Sequence, residues 1–246
     1  MPDPEPKIVL LAGASGVVGK NVLDALLEAP DIARVFAITR RPLGREHPRL
    51  ANRIVQFDNI ETQLKGITCH VAVCCLGTTI KQAGSQEAFR KVDVDYVLAF
   101  ARTAKAAQAQ RFIVVSSAAA APGSKNFYLR TKGEMETALA AVGFASLDIL
   151  QPGPLLTLRS QMRPLELAAL VVMPLVNPFL RGEREAYRGI SAKAVAAAVV
   201  GAIRSGRRGV QRYTYDGLHA LSRLKSVRTV PLVDTRTSGN TRQRRT

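Results

Sequence analysis

The sequence predicts an α/β protein organised as a doubly wound parallel sheet, with a small substrate-side region toward the C-terminus. Two observations predict it. Short apolar runs alternate with helical patterns at the intervals of β-α-β units. A glycine-spaced turn, Gly13-Ala-Ser-Gly16-Val-Val-Gly19, follows the first run directly and sits at the mouth of the first helix.

The elements follow in order. Residues 7–12 (KIVLLA) form a continuous apolar run of strand length, as a strand covered on both faces requires. Residues 20–28 carry Val22, Leu23, Leu26 and Leu27 at helical spacing. Residues 34–39, 53–57 and 70–76 read as the second, third and fourth strands; the third ends at Asp58 and the fourth is closed by Gly77. Residues 92–109 are helical, with Val94, Val97, Leu98 and Ala101 on one stripe. A fifth strand at 111–116, a helix at 126–141, a sixth strand opening at 147–150 and a helix at 191–205 complete the pattern. One domain is expected over 1–216, with a substrate-side segment at 153–190. Residues 217–246, with seven Lys or Arg against one Asp, read as a basic, disordered tail.

Bulk properties narrow the function classes. A chain of 246 residues with 47% hydrophobic side chains buries a sizeable core. The opening MPDPEPK is short, polar and proline-rich, without a charged start leading into an apolar core, so it is not expected to be a signal peptide. The apolar stretch 165–180 contains Glu166, Pro174 and Pro178 and falls short of the roughly 18–20 apolar residues of a bilayer span. Within 163–181 a lid or subunit contact is the expected role, and a membrane-surface contact the weaker alternative. Cys69, Cys74 and Cys75 are odd in number, and the last two are adjacent. That argues against a disulfide framework and, without Cys/His partners at ligand spacing, against a metal site. A reducing, cytoplasmic location is expected. The net charge of +16 comes without a nucleic-acid-binding module and with only 5% aromatics, so no nucleic-acid partner is expected. The protein is expected as a monomer or homodimer acting on a small molecule.

The glycine turn carries the first piece of chemistry. Gly13 permits the tight turn, Gly16 lets backbone N–H groups approach a pyrophosphate, and Gly19 allows close helix–strand packing. The partial positive charge of the helix N-terminus adds to this. Ser15, Val17 and Val18 lie inside the turn and are expected cofactor contacts with it. The second strand ends in Thr39-Arg40-Arg41 with no carboxylate for free ribose hydroxyls. Two guanidiniums suit a 2′-phosphate, which predicts NADP(H) over NAD(H). Asp58 is placed to accept from an adenine amino group.

The second piece is Tyr128 and Lys132. At i and i+4 on a helix their side chains stand one above the other. A nearby ammonium favours a phenolate, and a phenol so assisted exchanges protons with a substrate. Ser116 and Ser117, at the end of the fifth strand, offer hydroxyls that orient a carbonyl or alcohol.

On these residues the chain resembles an atypical, extended-like short-chain dehydrogenase/reductase, and more narrowly the Tat-interacting-protein-like oxidoreductase group and its bacterial relatives. The narrower match rests on CCLGTT (74–79), AGS (83–85), FRKVDVDYVL (89–98), VSSAAA (115–120) and NFYLRTKGE (126–134). The resemblance implies a Rossmann-type fold binding NADP(H). It implies Tyr128 as acid/base, Lys132 on the nicotinamide ribose and Ser117 or Ser116 orienting substrate. Leu76, Gly77 and Thr78 would sit on the ribose–nicotinamide side, and Pro152-Gly153 would line the nicotinamide face. Relatives tend to carry arginine where this chain has Gln151, which is expected to alter anchoring of the sixth strand. Two other functions stay open at this point: an NADP(H)-sensing binding protein with vestigial catalysis, and epimerase or dehydratase chemistry with a retained cofactor.

Overall fold

The computed structural model describes residues 5–156 and 188–224. The substrate-side residues 157–187, including the apolar stretch, and the tail from 225 onward lie outside the described residues.

The strands are β1 (Lys7–Ala12), β2 (Ile32–Thr39), β3 (Leu50–Ile54), β4 (Val71–Cys74), β5 (Arg111–Val115), β6 (Ser146–Leu150), β7 (Leu155–Leu156), β8 (Ile190–Ser191) and β9 (Gly209–Tyr213). Among the described residues β3-β2-β1-β4-β5-β6-β9 form one seven-stranded parallel sheet, and β7-β8 a short parallel pair. The order reverses between β1 and β4, the switch point at which a doubly wound sheet opens a crevice.

The helices are α1 (Val17–Glu28), α2 (Ile60–Gln63), α3 (Ile80–Ala83), α4 (Gln86–Arg90), α5 (Tyr96–Ala106, entered through a π-helical turn at Lys91–Asp95), α6 (Phe127–Ala141), α7 (Ala192–Arg204) and α8 (Tyr215–Ser222). They cover both faces. Val9 and Leu11 of β1 point into a core shared with α1, α7 and α8, whereas Leu10 and Ala12 point into one shared with α2, α5 and α6. That alternation is why β1 is apolar at every position rather than at every second one. Cys74 and Cys75 divide between the same two layers.

Three sequence expectations are corrected. The third strand is Leu50–Ile54, not 53–57. It is an edge strand with Asn52 and Arg53 in it, so its apolar pattern is weak, and the stronger pattern just after it belongs to the turn that buries Val55 and Phe57. The seventh strand, β9, was not anticipated: GVQRY exposes most of its side chains at the other edge of the sheet. The disorder expected from residue 217 is not found over 217–222, where α8 runs to Ser222 and buries Leu218 and Leu221.

Candidate active site

β1 hands the chain to α1 through the glycine turn. Gly13 has φ +84°, and a Cβ there would lie 2.4 Å from the Cys75 carbonyl oxygen. A Cβ on Gly19 would lie 2.0 Å from the Gly13 carbonyl oxygen, so only glycine lets α1 settle on the turn. Gly16 donates to the Gly13 carbonyl (3.0 Å) and caps α1 without a side chain. Ser15, Gly16 and Val17 are exposed, Val18 is half-buried, and the first turn of α1 holds no acidic residue. The helix therefore presents N–H groups without side-chain caps, at its positive end, to an anion. These residues fit a dinucleotide pyrophosphate.

Arg40 and Arg41 follow β2 directly. Both are exposed, and neither makes an ion pair or side-chain hydrogen bond among the described residues. Asp58 lies in the 3-10 turn Phe57–Asn59 rather than at a strand end. It accepts from the Tyr96 hydroxyl (3.0 Å) and pairs with Lys91 (2.8 Å). Lys91 chiefly, and then Tyr96, hold the Asp58 carboxyl below the usual carboxylate range.

On the other side of the turn, the Gly13 position touches Cys75 and the Leu76 amide, the start of the loop that continues into Gly77 and Thr78. Gly77 is exposed, and its Cβ position lies 3.8 Å from Lys132 Nζ and 3.6 Å from Asp93 Oδ1. Lys132 is buried on α6 and sits 2.7 Å from Asp93 Oδ1, while Asp93 Oδ2 accepts from the Thr78 N–H at 2.9 Å. Tyr128 is half-buried, with its ring tilted against Phe89 at 5.8 Å. Its hydroxyl makes no hydrogen bond among the described residues. Asn126 caps α6 by accepting from the Leu129 N–H (3.2 Å), which fixes where Tyr128 and Lys132 fall on the helix. A Cβ on Gly133 would lie 2.2 Å from Ala121 backbone, so glycine there lets the loop after β5 press against α6.

The two serines separate. Ser116 is buried and donates to Glu136 Oε1 at 2.6 Å. Gln151 donates to both Glu136 oxygens (2.9 and 3.0 Å), and Arg212 reaches Oε2 at 3.3 Å. Gln151 thus anchors β6 to α6 through Glu136. Ser117 is half-buried, and its hydroxyl donates to the Ala118 carbonyl (3.3 Å), its one side-chain bond among the described residues. Pro152 joins the same corner by accepting from the Ala118 N–H (2.9 Å), with Gly153 half-buried beside it.

The structure thus joins the glycine turn, Leu76–Thr78 and Lys132 in one run of contacts, and gathers Ser116, Ser117 and Pro152 at a second corner. Arg40, Arg41 and Asp58 stand apart, after β2 and β3. Sequence reasoning missed Asp93 and Glu136. Each is an acidic residue inside a helical pattern, which ordinarily marks a solvated face; for Asp93, lying between Val92 and Val94 was the available signal. Burial raises all three thiols, Cys69 and Cys74 to about 12, which favours the protonated form. Among the described residues no cluster of His, Cys, Asp and Glu is placed to hold a metal, and no helix is long and apolar enough to cross a membrane.

This fold and glycine turn define an NAD(P)-binding Rossmann protein of the short-chain dehydrogenase type. The profile of the NAD dependent epimerase/dehydratase family matches residues 9–139, and the chain belongs to that family. Protein HTATIP2 of Rattus norvegicus is 37% identical over 162 residues, 64% of this chain and 66% of that one, just under two thirds of its length. Protein fmp52, mitochondrial, of Aspergillus fumigatus is 32% identical over 201 residues, 79% of this chain and 86% of the relative. Among solved structures, MoeE5 in complex with UDP-glucose and NAD superposes with a TM-score of 0.60 at 18% identity, covering 87% of this chain and 80% of that one. A short chain dehydrogenase family protein from Francisella tularensis covers 87% and 98% at a TM-score of 0.59 and 13% identity. These likenesses bear out the fold. They correct the expected cytoplasmic location, since the Aspergillus fumigatus and Saccharomyces cerevisiae relatives are named as mitochondrial proteins.

Proposed function

We propose that this chain is an NADP(H)-dependent oxidoreductase that moves a hydride to or from a small carbonyl or alcohol, with Tyr128 exchanging the proton. The observation that supports the reading is the close approach of the Gly13 turn to Cys75 and Leu76, and of the following Gly77 position to Lys132 (3.8 Å) and Asp93 (3.6 Å). Bound NADP(H) supplies the hydride chemistry.

The chain's own residues do the rest. Gly13, Ser15, Gly16, Val17, Val18 and Gly19 hold the pyrophosphate. Arg40 and Arg41, without partners of their own among the described residues, take the 2′-phosphate, and Asp58 takes the adenine amino group. Leu76, Gly77, Thr78, Pro152 and Gly153 line the nicotinamide side. Lys132 donates to ribose hydroxyls. Ser117 orients the substrate oxygen, because the Ser116 hydroxyl is already given to Glu136. Tyr128 gives a proton to that oxygen in reduction and takes one from it in oxidation.

Titration with NADPH and with NADH, on the natural chain and on R40E/R41E, tests the cofactor assignment. The natural chain is expected to bind NADPH more tightly, and the variant to lose that preference; an unchanged preference sinks it.

A second reading is epimerase or dehydratase chemistry, favoured by the family match at 9–139 and by a structural neighbour solved with UDP-glucose and NAD. Under it, product forms from a nucleotide sugar with no net consumption of cofactor, whereas the first reading requires one NADPH oxidised per carbonyl reduced.

A further inference from the structure

Asp93 is a fully buried carboxylate to which the cofactor reading above gives no role. We infer that it is a positioning residue, which holds Lys132 for the nicotinamide ribose and pins the Gly77–Thr78 loop with its other oxygen. The inference rests on the cofactor reading above.

The backbone is built to bring Asp93 inward. Lys91–Asp95 is a π-helical turn ahead of α5, a local widening that re-aims side chains and recurs at functional sites. Lys91 and Asp95 are exposed, while Asp93 between them is wholly buried. Its oxygens then divide the work. Oδ2 accepts from the Thr78 N–H (2.9 Å), and Oδ1 forms an ion pair with the Lys132 ammonium (2.7 Å). Apart from this ion pair the Lys132 ammonium, which carries three N–H groups, has no partner among the described residues; it lies beside the Gly77 edge of the crevice, with Nζ 3.8 Å from the Gly77 Cβ position.

The two contacts need different things from residue 93. The Thr78 N–H needs an oxygen, which asparagine also offers. Lys132 needs a charge: a buried cation without one costs free energy, and its flexible four-carbon stem would carry it away from the ribose. Asp93→Asn therefore keeps the loop bond and removes the ion pair.

The experiment is NADPH titration by cofactor fluorescence on the full chain and on D93N, K132M and D93N/K132M, with circular dichroism as the fold control. D93N is expected to weaken binding by about 10- to 100-fold, the range of a hydrogen bond to a charged group. Because Asp93 acts through Lys132, the double variant is expected to bind no more weakly than K132M alone. D93N binding like the natural chain, or the two losses multiplying, overturns the inference. If D93N does not fold, K132M/D93L takes its place: affinity equal to K132M supports the inference and a further tenfold loss overturns it. A natural chain that binds neither NADPH nor NADH overturns the cofactor reading itself, and the role of Asp93 with it.

Discussion

Two buried ion pairs in this molecule look alike and differ in what they leave free. Arg111–Asp148 joins neighbouring strands, with Nη1 2.5 Å from Oδ2. Its guanidinium is held on several sides: Arg111 also reaches the carbonyls of Ala202 and Arg207 (both 2.7 Å) and the Ser205 hydroxyl (3.2 Å), and Tyr213 donates to the other Asp148 oxygen (3.2 Å). Lys132–Asp93 lies at the carboxyl ends of the strands and keeps ammonium donors without partners among the described residues, beside an exposed glycine. Burying a charge is therefore no sign of function by itself here. The first pair clamps β5, β6 and β9 together, whereas the second is the one that the proposed reading sets against the nicotinamide ribose.

The sharpest way to break the contrast is at the crevice. Tyr128→Phe is expected to lower kcat/KM for carbonyl reduction by about 10²- to 10⁴-fold, the usual share of general acid–base catalysis. The melting temperature should hold, because the lost hydroxyl has no partner among the described residues. Equal loss of stability and turnover would place Tyr128 in the core instead.

Arg111→Leu is expected to act the other way round. It strands a buried carboxylate and should destabilise the fold by about 3–5 kcal/mol in urea unfolding. NADPH affinity of the folded fraction should stay as it was. The serines give a smaller version of the same test. Ser116→Ala takes a donor from buried Glu136 and is expected to cost about 1–3 kcal/mol of stability. Ser117→Ala should leave stability nearly untouched and reduce turnover.

The smallest effect belongs to an ion pair of neither kind. Arg204 grips Asp31 through two bonds (2.6 and 2.8 Å) near the surface and, as the chief cause, holds its carboxyl below the ordinary 3.8. A lowered carboxylate stabilises the fold above its unfolded value and loses that contribution as pH falls through the folded value. Asp31→Asn should therefore flatten stability against pH slightly below about pH 4, by less than about 1 kcal/mol for so solvated a pair.

The sheet's central strands were legible because they are buried on both faces, which leaves continuous apolar runs such as KIVLLA and RFIVV. The edges were not: β3 and β9 have one neighbour each and carry polar or exposed residues, so the signal shifted or vanished. The glycine turn was legible because sterics allow no other residue at 13 and 19. Asp93 and Glu136 were hidden because their meaning lies in partners far along the chain. Thr78 and Lys132 define the first; Ser116, Gln151 and Arg212 define the second. Helical periodicity reports which face is apolar and is silent about a carboxylate that turns inward to meet a charge.

A crystal structure of the chain with NADPH bound tests the central claim most directly. The account predicts the pyrophosphate on the Gly13–Gly19 turn, and the nicotinamide ribose within hydrogen-bond reach of Lys132 Nζ while Asp93 still holds that ammonium. A nucleotide seated elsewhere, or a nicotinamide pointing away from Tyr128 and Lys132, would contradict it.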